Sequence, residues 1–122
     1  MVEDNLELLK MYREAFEHEG FEFATAQNGI DGVKLSFEKR PNLILLDLLL
    51  PGMDGISVMK ILRENNWGKT VPIIIFSNMD TGDEIMNAVT ENEPTYYLVK
   101  ANNDPSSVIE KVKDILKEKP LN

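Results

Sequence analysis

Hydrophobic residues along the chain follow two patterns that take turns. In one, they recur with the periodicity of a helix, and in the other, they form short runs of the length of one strand. In five segments the apolar residues recur three and four positions apart, which places them on one face of a helix. Asn5 precedes the first segment as a cap, Gly20 ends it, and Pro105 opens the last segment. The predicted helices carry their apolar stripes within residues 8–16, 30–37, 56–63, 83–91 and 108–116.

Short apolar runs between these segments predict strands. Residues 43–46, 71–76 and 96–99 are continuous apolar runs, which is typical of strands that are buried on both faces. Residues 21–26 instead alternate in the manner of a half-buried strand. Strands that alternate with helices indicate βαβ crossovers, so the predicted fold class is α/β, with a parallel sheet covered by helices on both faces.

Length and composition narrow the range of functions. A chain of 122 residues fits one domain, which we place at residues 1–119, with 120–122 as a tail. The absence of cysteine excludes disulfides, thiolate metal sites and thiol catalysis. A net charge of −8 argues against broad contact with a phosphate backbone, so no direct nucleic-acid binding is expected. No apolar run is long enough for a bilayer and no signal-peptide pattern is present, so a cytoplasmic protein without membrane contact is expected.

Polar residues follow the strands, at the edge where parallel sheets form their sites. Glu3 and Asp4 follow the short apolar start, and Asp47, Ser77 and Lys100 follow three of the apolar runs. Carboxylates that converge repel one another, and a hard divalent cation such as Mg²⁺, which prefers oxygen ligands, relieves that repulsion. Asp47 is then placed to attack phosphorus and form an aspartyl phosphate, with Lys100 neutralising charge and Ser77 bonding a phosphate oxygen.

Several stretches of the chain resemble the response-regulator receiver family of two-component signalling, which includes chemotaxis regulators, in order and spacing over essentially the whole length. The resemblance rests on Val2-Glu3-Asp4-Asn5, Asp47-Leu-Leu-Leu-Pro51-Gly-Met-Asp-Gly55, Ser77 and Tyr97-Leu-Val-Lys100. It implies a flavodoxin-like, doubly wound parallel sheet of five strands in the order 2-1-3-4-5. The family usually has several apolar residues before the acidic pair, whereas only Met1 and Val2 precede it here. We therefore expect a truncated first strand and a gap in the sheet that invites strand exchange between chains.

The resemblance also implies roles for the site residues. Asp47 would be the phosphoacceptor, and the donor would be a phosphohistidine on a sensor histidine kinase or a phosphotransfer protein. Asp4, Asp47 and the backbone carbonyl of Leu49 would bind Mg²⁺ directly, with Glu3 acting mainly through a metal-bound water. Lys100 would pair with Asp47 and later with the phosphate.

Ser77 and Tyr97 resemble the family's coupled switch pair, in which the hydroxyl moves toward phosphate and the aromatic ring turns inward. The implied output surface is the fourth helix, fifth strand and fifth helix, which would contact a downstream protein or a second copy. Such a domain is not an enzyme in the usual sense, since it catalyses only its own phosphorylation and dephosphorylation. Leu49 and Met79 lie two positions beyond Asp47 and Ser77, and neither can orient an attacking water, so we expect slow self-dephosphorylation.

Two other functions stay open. A pseudo-receiver would keep the fold as a protein-interaction module without being phosphorylated, and it would have no reason to hold Mg²⁺. A phosphatase with an aspartate nucleophile needs a second acid two residues further on, where this chain has Leu49.

Asn78 and Ala101 stand where the family usually has a small residue and a proline, so we expect a different loop and a narrower approach to the phosphate.

Overall fold

The fold is described from a computed structural model, which describes residues 1–78, 87 and 90–118. Helices and strands follow the predicted chain order in this range, although only one bridged residue, Ala26, stands between the first two helices. The helices are α1 (Leu6–His18), α2 (Gly29–Lys39), α3 (Gly55–Glu64) and α4 (Pro105–Glu118), and the strands are β1 (Ile44–Leu46), β2 (Ile73–Ser77) and β3 (Tyr96–Val99). A 3₁₀ turn, Lys100–Asn102, follows β3. The helix predicted within residues 83–91 lies mostly outside the described residues.

The three strands form a parallel sheet in the order β1-β2-β3. Its register pairs Ile44 with Ile73 and Ile74 with Tyr96. Val2 extends this sheet as a single bridged residue, parallel to Leu46 on one side and to Ala26 on the other. From edge to edge the order is therefore the segment that contains Ala26, then Val2, β1, β2 and β3. This is the predicted order 2-1-3-4-5, and the doubly wound α/β fold is confirmed.

The strand predicted over residues 21–26 is wrong in its extent. Of these residues only Ala26 forms a β-bridge, while the carbonyl oxygen of Ala24 accepts a hydrogen bond from the Met1 amino group at 2.8 Å. The cause lies in the neighbouring strand, which offers only Met1, Val2 and Glu3 as partners. A ladder cannot extend past the end of its partner. The expected truncation of the first strand is thus confirmed, and the second strand is shortened with it.

Helices cover both faces of the sheet. All residues of β1 and β2 are buried, as continuous apolar runs predict. On the face under α2 and α3, the core is formed by Val2, Ile44, Leu46, Met59, Leu62 and Ile73. On the face under α1 and α4, it is formed by Tyr12, Phe16, Leu45, Phe76, Val108 and Val112. Consecutive residues of β1 enter opposite cores, so the strand is held firmly and its carboxyl end stays at the edge of the sheet.

Helix α2 packs through its small residues as well as through the later part of its predicted apolar stripe, Val33 and Phe37. Gly29, Gly32 and Ser36 are buried, whereas Ile30 is 45% exposed. A Cβ atom on Gly32 would lie 2.8 Å from Cγ1 of Val2, which is closer than atoms in a packed core approach. The prediction that Ile30 faces inward is therefore wrong, because the helix lies so close to the first strand that only small residues fit between them.

The amino group of Met1 is buried at the beginning of the first strand. It donates to the carbonyl oxygen of Ala24, and the Met1 carbonyl accepts from the N–H of Ala26 at 3.0 Å. Burial, and to a smaller extent the positive charge of Arg13, lower the pKa of this amine from 8.0 to about 5. In the folded protein the amine is therefore neutral at pH 7, at the start of the strand that leads to the acidic pair.

We predict that the free energy of unfolding rises between pH 5 and pH 8 through the Met1 amine. In this window the unfolded chain binds a proton that the folded chain does not, so stability increases with pH and is lowest below the folded pKa. N-terminally acetylated protein is the control, since it should lack this component, which amounts to up to about 4 kcal/mol. Urea titrations at matched pH measure the difference. The same pH dependence in both forms would contradict burial of the amine.

Candidate functional site

The carboxyl edge of the sheet carries the polar residues that the sequence placed there. Glu3 and Asp4 follow the bridged residue of the first strand, Asp47 directly follows β1, Ser77 ends β2, and Lys100 directly follows β3. Carboxylate oxygens of Glu3, Asp4 and Asp47 lie within 4.8 Å of one another. The structure thus brings three acids from two neighbouring strands to one place, with a lysine from a third strand.

The ammonium group of Lys100 lies between the two buried acids. Its Nζ donates to Oδ2 of Asp47 at 2.7 Å and also to Oε1 of Glu3. Glu3 is 1% exposed and Asp47 is 6% exposed. The backbone N–H of Asn5 donates to Oε2 of Glu3 at 3.1 Å, and that of Leu49 donates to Oδ1 of Asp47 at 3.3 Å. Both oxygens of each buried carboxylate are therefore hydrogen-bonded, which offsets the cost of burying the charge.

The pKa values of Glu3 and Lys100 reflect this environment. Burial raises the pKa of Glu3, and the hydrogen bond from Lys100 acts against that rise. Burial alone would lower the pKa of Lys100, but the hydrogen bonds and charges of Asp47 and Glu3 outweigh it, so the pKa of Lys100 is raised. Lys100 therefore keeps its proton and places a permanent positive charge beside Asp47.

Negative charge exceeds positive charge at this edge. With Glu3, Asp4 and Asp47 ionised and Lys100 protonated, three negative charges face one positive charge, a surplus of two. The three acids offer only oxygen ligands, which Mg²⁺ prefers. Asp4 is exposed, so the cluster opens to solvent on its side. Both the charge surplus and the donor atoms fit a hard divalent cation.

Close backbone contacts hold the loop that leaves Asp47. The N–H of Gly55 donates to the carbonyl oxygen of Leu48 at 2.9 Å, and a Cβ on Gly55 would lie 2.2 Å from the carbonyl oxygen of Asp47. A Cβ on Gly29 would lie 1.9 Å from the carbonyl oxygen of Met53. Only glycine permits backbones to approach this closely. The first residues of α2 and α3 therefore fix the path of the loop.

The predicted switch pair lies on neighbouring strands. Ser77 is 1% exposed at the end of β2, where its register partner is Val99. Tyr97 lies opposite Ile75, half-buried, and packs against the core under α2 and α3. Ser77 is thus at the carboxyl edge of the sheet, and Tyr97 lies two residue pairs further into the sheet, beside the core.

Asn78 connects two loops at the site. Its Oδ1 accepts a hydrogen bond from the backbone N–H of Ala101 at 2.7 Å. This bond connects the end of β2 to the turn that begins at Lys100. It fixes the loop at Ala101, where the family usually has a proline. The predicted narrowing of the approach to Ser77 stays a prediction.

Sequence reasoning missed the contact between Lys100 and Glu3 and paired the lysine with Asp47 alone. In the order 2-1-3-4-5 the first strand is separated from β3 by two strands, so the order gave no reason to join them. The long side chain of Lys100 crosses that distance. The close approaches of Gly29 and Gly55 were also missed, although both glycines stand next to polar turn residues, which is a weak signal for a tight backbone contact.

Comparison with known families identifies the class of this chain. The family described as "Response regulator receiver domain" matches residues 1–113 of the 122. The chain belongs to this family, which serves two-component signalling. Its members are regulatory phosphoacceptor domains that generally bind Mg²⁺ at an acidic cluster. Glu3, Asp4 and Asp47 form an acidic group here that could hold a metal ion.

Curated relatives of this chain are response regulators. The polar-differentiation response regulator DivK of Brucella anthropi is 36% identical over 74 residues, which cover 61% of this chain and 60% of DivK. The uncharacterized transcriptional regulatory protein YclJ of Bacillus subtilis is 38% identical over 81 residues, which cover 66% of this chain and 34% of YclJ. The match thus spans less than two thirds of either relative.

Solved structures show the same fold. The signal receiver domain of a signal transduction histidine kinase from Syntrophus aciditrophicus aligns with a TM-score of 0.86 at 23% identity, covering 99% of this chain and 91% of that one. The chemotaxis protein CheY4 of Vibrio cholerae aligns with a TM-score of 0.83 at 23% identity, covering 93% of each chain. At this identity the likeness concerns the fold alone.

The comparisons give no support to the expected absence of nucleic-acid binding. MtrA of Mycobacterium tuberculosis, named a DNA-binding response regulator, is 37% identical over 87 residues, which cover 37% of its length. The expectation therefore stays a prediction for this domain, and it does not extend to any longer protein.

Within the described ranges, none of the helices combines the length and the apolar character that a membrane span requires.

We predict that Lys100→Met lowers the free energy of unfolding by about 3–5 kcal/mol at neutral pH, since it leaves Glu3 and Asp47 as adjacent buried charges. The matched control is Lys113→Met, because Lys113 pairs with Glu19 at 3.0 Å and the two side chains are 46% and 41% exposed. That control should cost less than about 1 kcal/mol. Urea unfolding measures both losses, and similar small losses would contradict a buried ion pair at Lys100.

Proposed function

We propose that Asp47 accepts a phosphoryl group, in the cytoplasm, from a phosphohistidine on a sensor histidine kinase or phosphotransfer protein. The observation that carries this proposal is the setting of Asp47, which has Nζ of Lys100 at 2.7 Å on one side and the carboxylates of Glu3 and Asp4 within 4.8 Å. A nucleophilic carboxylate, a fixed cation and oxygen donors for a metal ion lie together at the end of a rigid strand. Membership of a phosphoacceptor family supports the same role.

Mg²⁺ fits the donor set beside Asp47. We assign the carboxylates of Asp4 and Asp47 and the backbone carbonyl of Leu49 as direct ligands. Glu3 would act through a metal-bound water, because its two oxygens already accept hydrogen bonds within the protein. When bound, Mg²⁺ supplies positive charge that stabilises the oxygens of the transferring phosphoryl group. The surplus of two negative charges at the site favours this binding.

Phosphoryl transfer would join an oxygen of Asp47 to phosphorus while the phosphorus–nitrogen bond of the donor histidine breaks, with its electron pair returning to the imidazole. Lys100 would pair with Asp47 before transfer and with the phosphoryl oxygens after it. The hydroxyl of Ser77, at the end of the neighbouring strand, would hydrogen-bond one of those oxygens. Because these groups stand at strand ends, little rearrangement is needed to place them.

The switch pair, Ser77 and Tyr97, would connect this site to an output surface. Strand β3 lies at the edge of the described sheet, and its residues Tyr96 and Val99 are 44% and 38% exposed. Nζ of Lys111, on α4, lies 4.1 Å from the centre of the Tyr96 ring. Strand β3 and α4 therefore share one exposed surface. With the helix predicted within residues 83–91, this surface would contact a downstream protein or a second copy of the domain.

A pseudo-receiver is the second candidate, and the short first strand favours it. The strand before Glu3 and Asp4 is bridged to its neighbours at Val2 alone, and its backbone hydrogen bonds involve only Met1, Val2 and Glu3 on that strand. If that strand moves, the metal ligands move with it while the rest of the fold persists. A phosphatase with an aspartate nucleophile finds no support, because Leu49 occupies the position of the required acid and is 59% exposed.

We predict that incubation with acetyl phosphate and Mg²⁺ adds one phosphoryl group to the protein, as measured by intact mass. Asp47→Asn should abolish the adduct, because an amide is a poor nucleophile toward phosphorus. The matched control is Asp54→Asn, which changes a nearby exposed acid that caps α3 through Ser57, a role that asparagine also fills. This control should keep the adduct.

Two results would contradict the proposed function. One is an adduct that persists in Asp47→Asn or that is indifferent to removal of Mg²⁺ by a chelator. The other is no adduct in a protein that unfolds cooperatively, which would favour the pseudo-receiver. Calorimetric titration with Mg²⁺ then separates the two candidates, since a pseudo-receiver is expected to give no binding heat.

We predict slow loss of the phosphoryl group, with a lifetime longer than minutes in Mg²⁺. Leu49 is exposed beside Asp47 and carries no group that could orient an attacking water, and Met79, outside the described residues, is equally apolar. Leu49→Asn should shorten the lifetime at least about tenfold, because a positioned polar group assists proton transfer. Intact mass followed over time measures the decay.

Leu49→Ala is the control for this prediction. It removes the bulk of the leucine, keeps the backbone carbonyl and adds no hydrogen-bonding group, so the lifetime should stay close to that of the wild type. Equal lifetimes in Leu49→Asn and Leu49→Ala, or a wild-type lifetime of only minutes, would contradict the assignment.

A further inference from the structure

Lys100 begins a turn that receives little support from the core. The turn is the 3₁₀ segment Lys100–Asn102, and none of its residues is buried. Its own hydrogen bonds are local, since the N–H of Asn103 donates to the carbonyl of Lys100 at 3.3 Å and Nδ2 of Asn103 donates to the carbonyl of Val99 at 2.9 Å. Hydrogen bonds in such a turn have poorer geometry than those of an α-helix. The lysine that reaches two buried acids therefore starts from a weakly held backbone.

Asn78 supports this turn from the neighbouring strand. Its Oδ1 accepts a hydrogen bond from the N–H of Ala101 at 2.7 Å, which is at the short end of the range for an N–H donor. Asn78 directly follows Ser77, which ends β2, is 1% exposed and pairs in register with Val99. The acceptor is therefore attached to a buried strand, and the bond connects β2 to β3 just beyond their last pair of residues.

The bond acts on Lys100 through one peptide group. The N–H of Ala101 belongs to the peptide unit that contains the carbonyl carbon of Lys100, and such a unit is planar and rigid. Nζ of Lys100 lies 2.7 Å from Oδ2 of Asp47 and also donates to Oε1 of Glu3. The lysine side chain is long and flexible, so the position of Nζ depends on how firmly the backbone at its Cα is held. Holding the N–H of Ala101 therefore favours both contacts of the ammonium group.

Asn78 and Ala101 are two positions at which the sequence departs from the residues usual in the family. A proline at position 101 would have no N–H to donate, and an alanine at position 78 would have no side-chain oxygen to accept it. The structure joins the two departures in one hydrogen bond. The contact is therefore a feature of this chain and does not follow from the fold.

We propose that Asn78 is a positioning residue for phosphoryl transfer to Asp47, because its side-chain oxygen holds the turn that keeps Nζ of Lys100 at the two buried carboxylates. The role in transfer rests on the function proposed above, whereas the placement of Lys100 does not. Without the bond, the acids would still attract the ammonium group, but from a turn that samples more positions. Displacing a catalytic group by about 1 Å can lower a rate about a hundredfold.

The test replaces Asn78 by leucine, which has nearly the same size but no acceptor, and by aspartate, which keeps the oxygen. Asn102→Leu is the matched control, because it makes the same exchange at an exposed position of the same turn. Amide hydrogen exchange at Ala101 measures the bond itself. It should be about five- to tenfold faster in Asn78→Leu, which is the factor that corresponds to one hydrogen bond. Asn78→Asp and Asn102→Leu should exchange at the wild-type rate.

Acylation of the Lys100 amine, followed by peptide mass spectrometry, measures the placement of the lysine without any phosphoryl transfer. The Lys100 side chain is 17% exposed, and its ion pairs keep the amine protonated and covered. Asn78→Leu should therefore raise the rate of acylation at least about fivefold. Asn78→Asp and Asn102→Leu should leave that rate unchanged.

Phosphorylation by acetyl phosphate at saturating Mg²⁺, followed by intact mass, measures the role in transfer. The rate should fall at least about tenfold in Asn78→Leu. Asn78→Asp should recover most of the rate, and Asn102→Leu should keep it. The rates are compared at an ionic strength of about 0.5 M, which screens the charge that aspartate adds at this exposed position.

Three results would overturn the proposal. Unchanged acylation of Lys100 in Asn78→Leu would show that the acids alone place the lysine, whatever the exchange at Ala101. Equal effects of Asn78→Leu and Asn102→Leu would reduce the contact to the general order of the loop. Faster acylation with an unchanged rate of phosphorylation would show that the placement of Lys100 does not limit transfer.

Failure of the proposed function would look different. A wild-type protein that takes up no phosphoryl group would remove the role in transfer together with that function. The acylation rates would then still decide whether Asn78 places Lys100.

Discussion

Two buried carboxylates stand side by side at the carboxyl edge of the sheet, and the ammonium group of Lys100 holds both. Glu3 comes from the first strand, Asp47 from the end of β1 and Lys100 from the end of β3, so one cation joins three strands. Without it, two like charges would be buried next to each other at a cost of several kcal/mol. The close backbone contacts of Gly29 and Gly55 then hold the loop after Asp47 around this pair.

This arrangement sets up a competition that suits a switch. Lys100 neutralises only part of the negative charge of the three carboxylates. The remaining negative charge favours a divalent cation beside the lysine. A phosphoryl group on Asp47 would add acceptor oxygens and draw Lys100 and the hydroxyl of Ser77 toward it. Tyr97, a residue of β3 at the edge of the described sheet, lies half-buried against the core, and in the proposed switch its packing would change. The lysine that balances the charge and the tyrosine that packs against the core thus belong to the same strand and the turn that follows it.

The strand ends could be predicted from the sequence because continuous apolar runs mark buried strands and the next polar residue marks the edge. Asp47, Ser77 and Lys100 were placed in this way, and the structure finds them there. Hydrophobic periodicity failed at Ile30, since it registers apolar character and not how closely two backbones approach. It also overextended the strand at residues 21–26, because pairing depends on the length of a distant partner. The contact between Lys100 and Glu3 could not be predicted from the pattern either, because it depends on the distance in space between two strands that are not neighbours.

The first strand is bridged to its neighbours at a single residue, so its register depends on which side chains occupy the buried positions. A slip by one residue turns every side chain of a strand to the other face. In this strand it would carry the exposed Asp4 into the position of the buried Glu3 and remove Val2 from the glycine face of α2. An aspartate is one methylene shorter, so it would meet Lys100 with different geometry. The difference in length between two acidic side chains therefore helps to select the correct alignment of the sheet, and a simple exchange of the two acids would favour the wrong one.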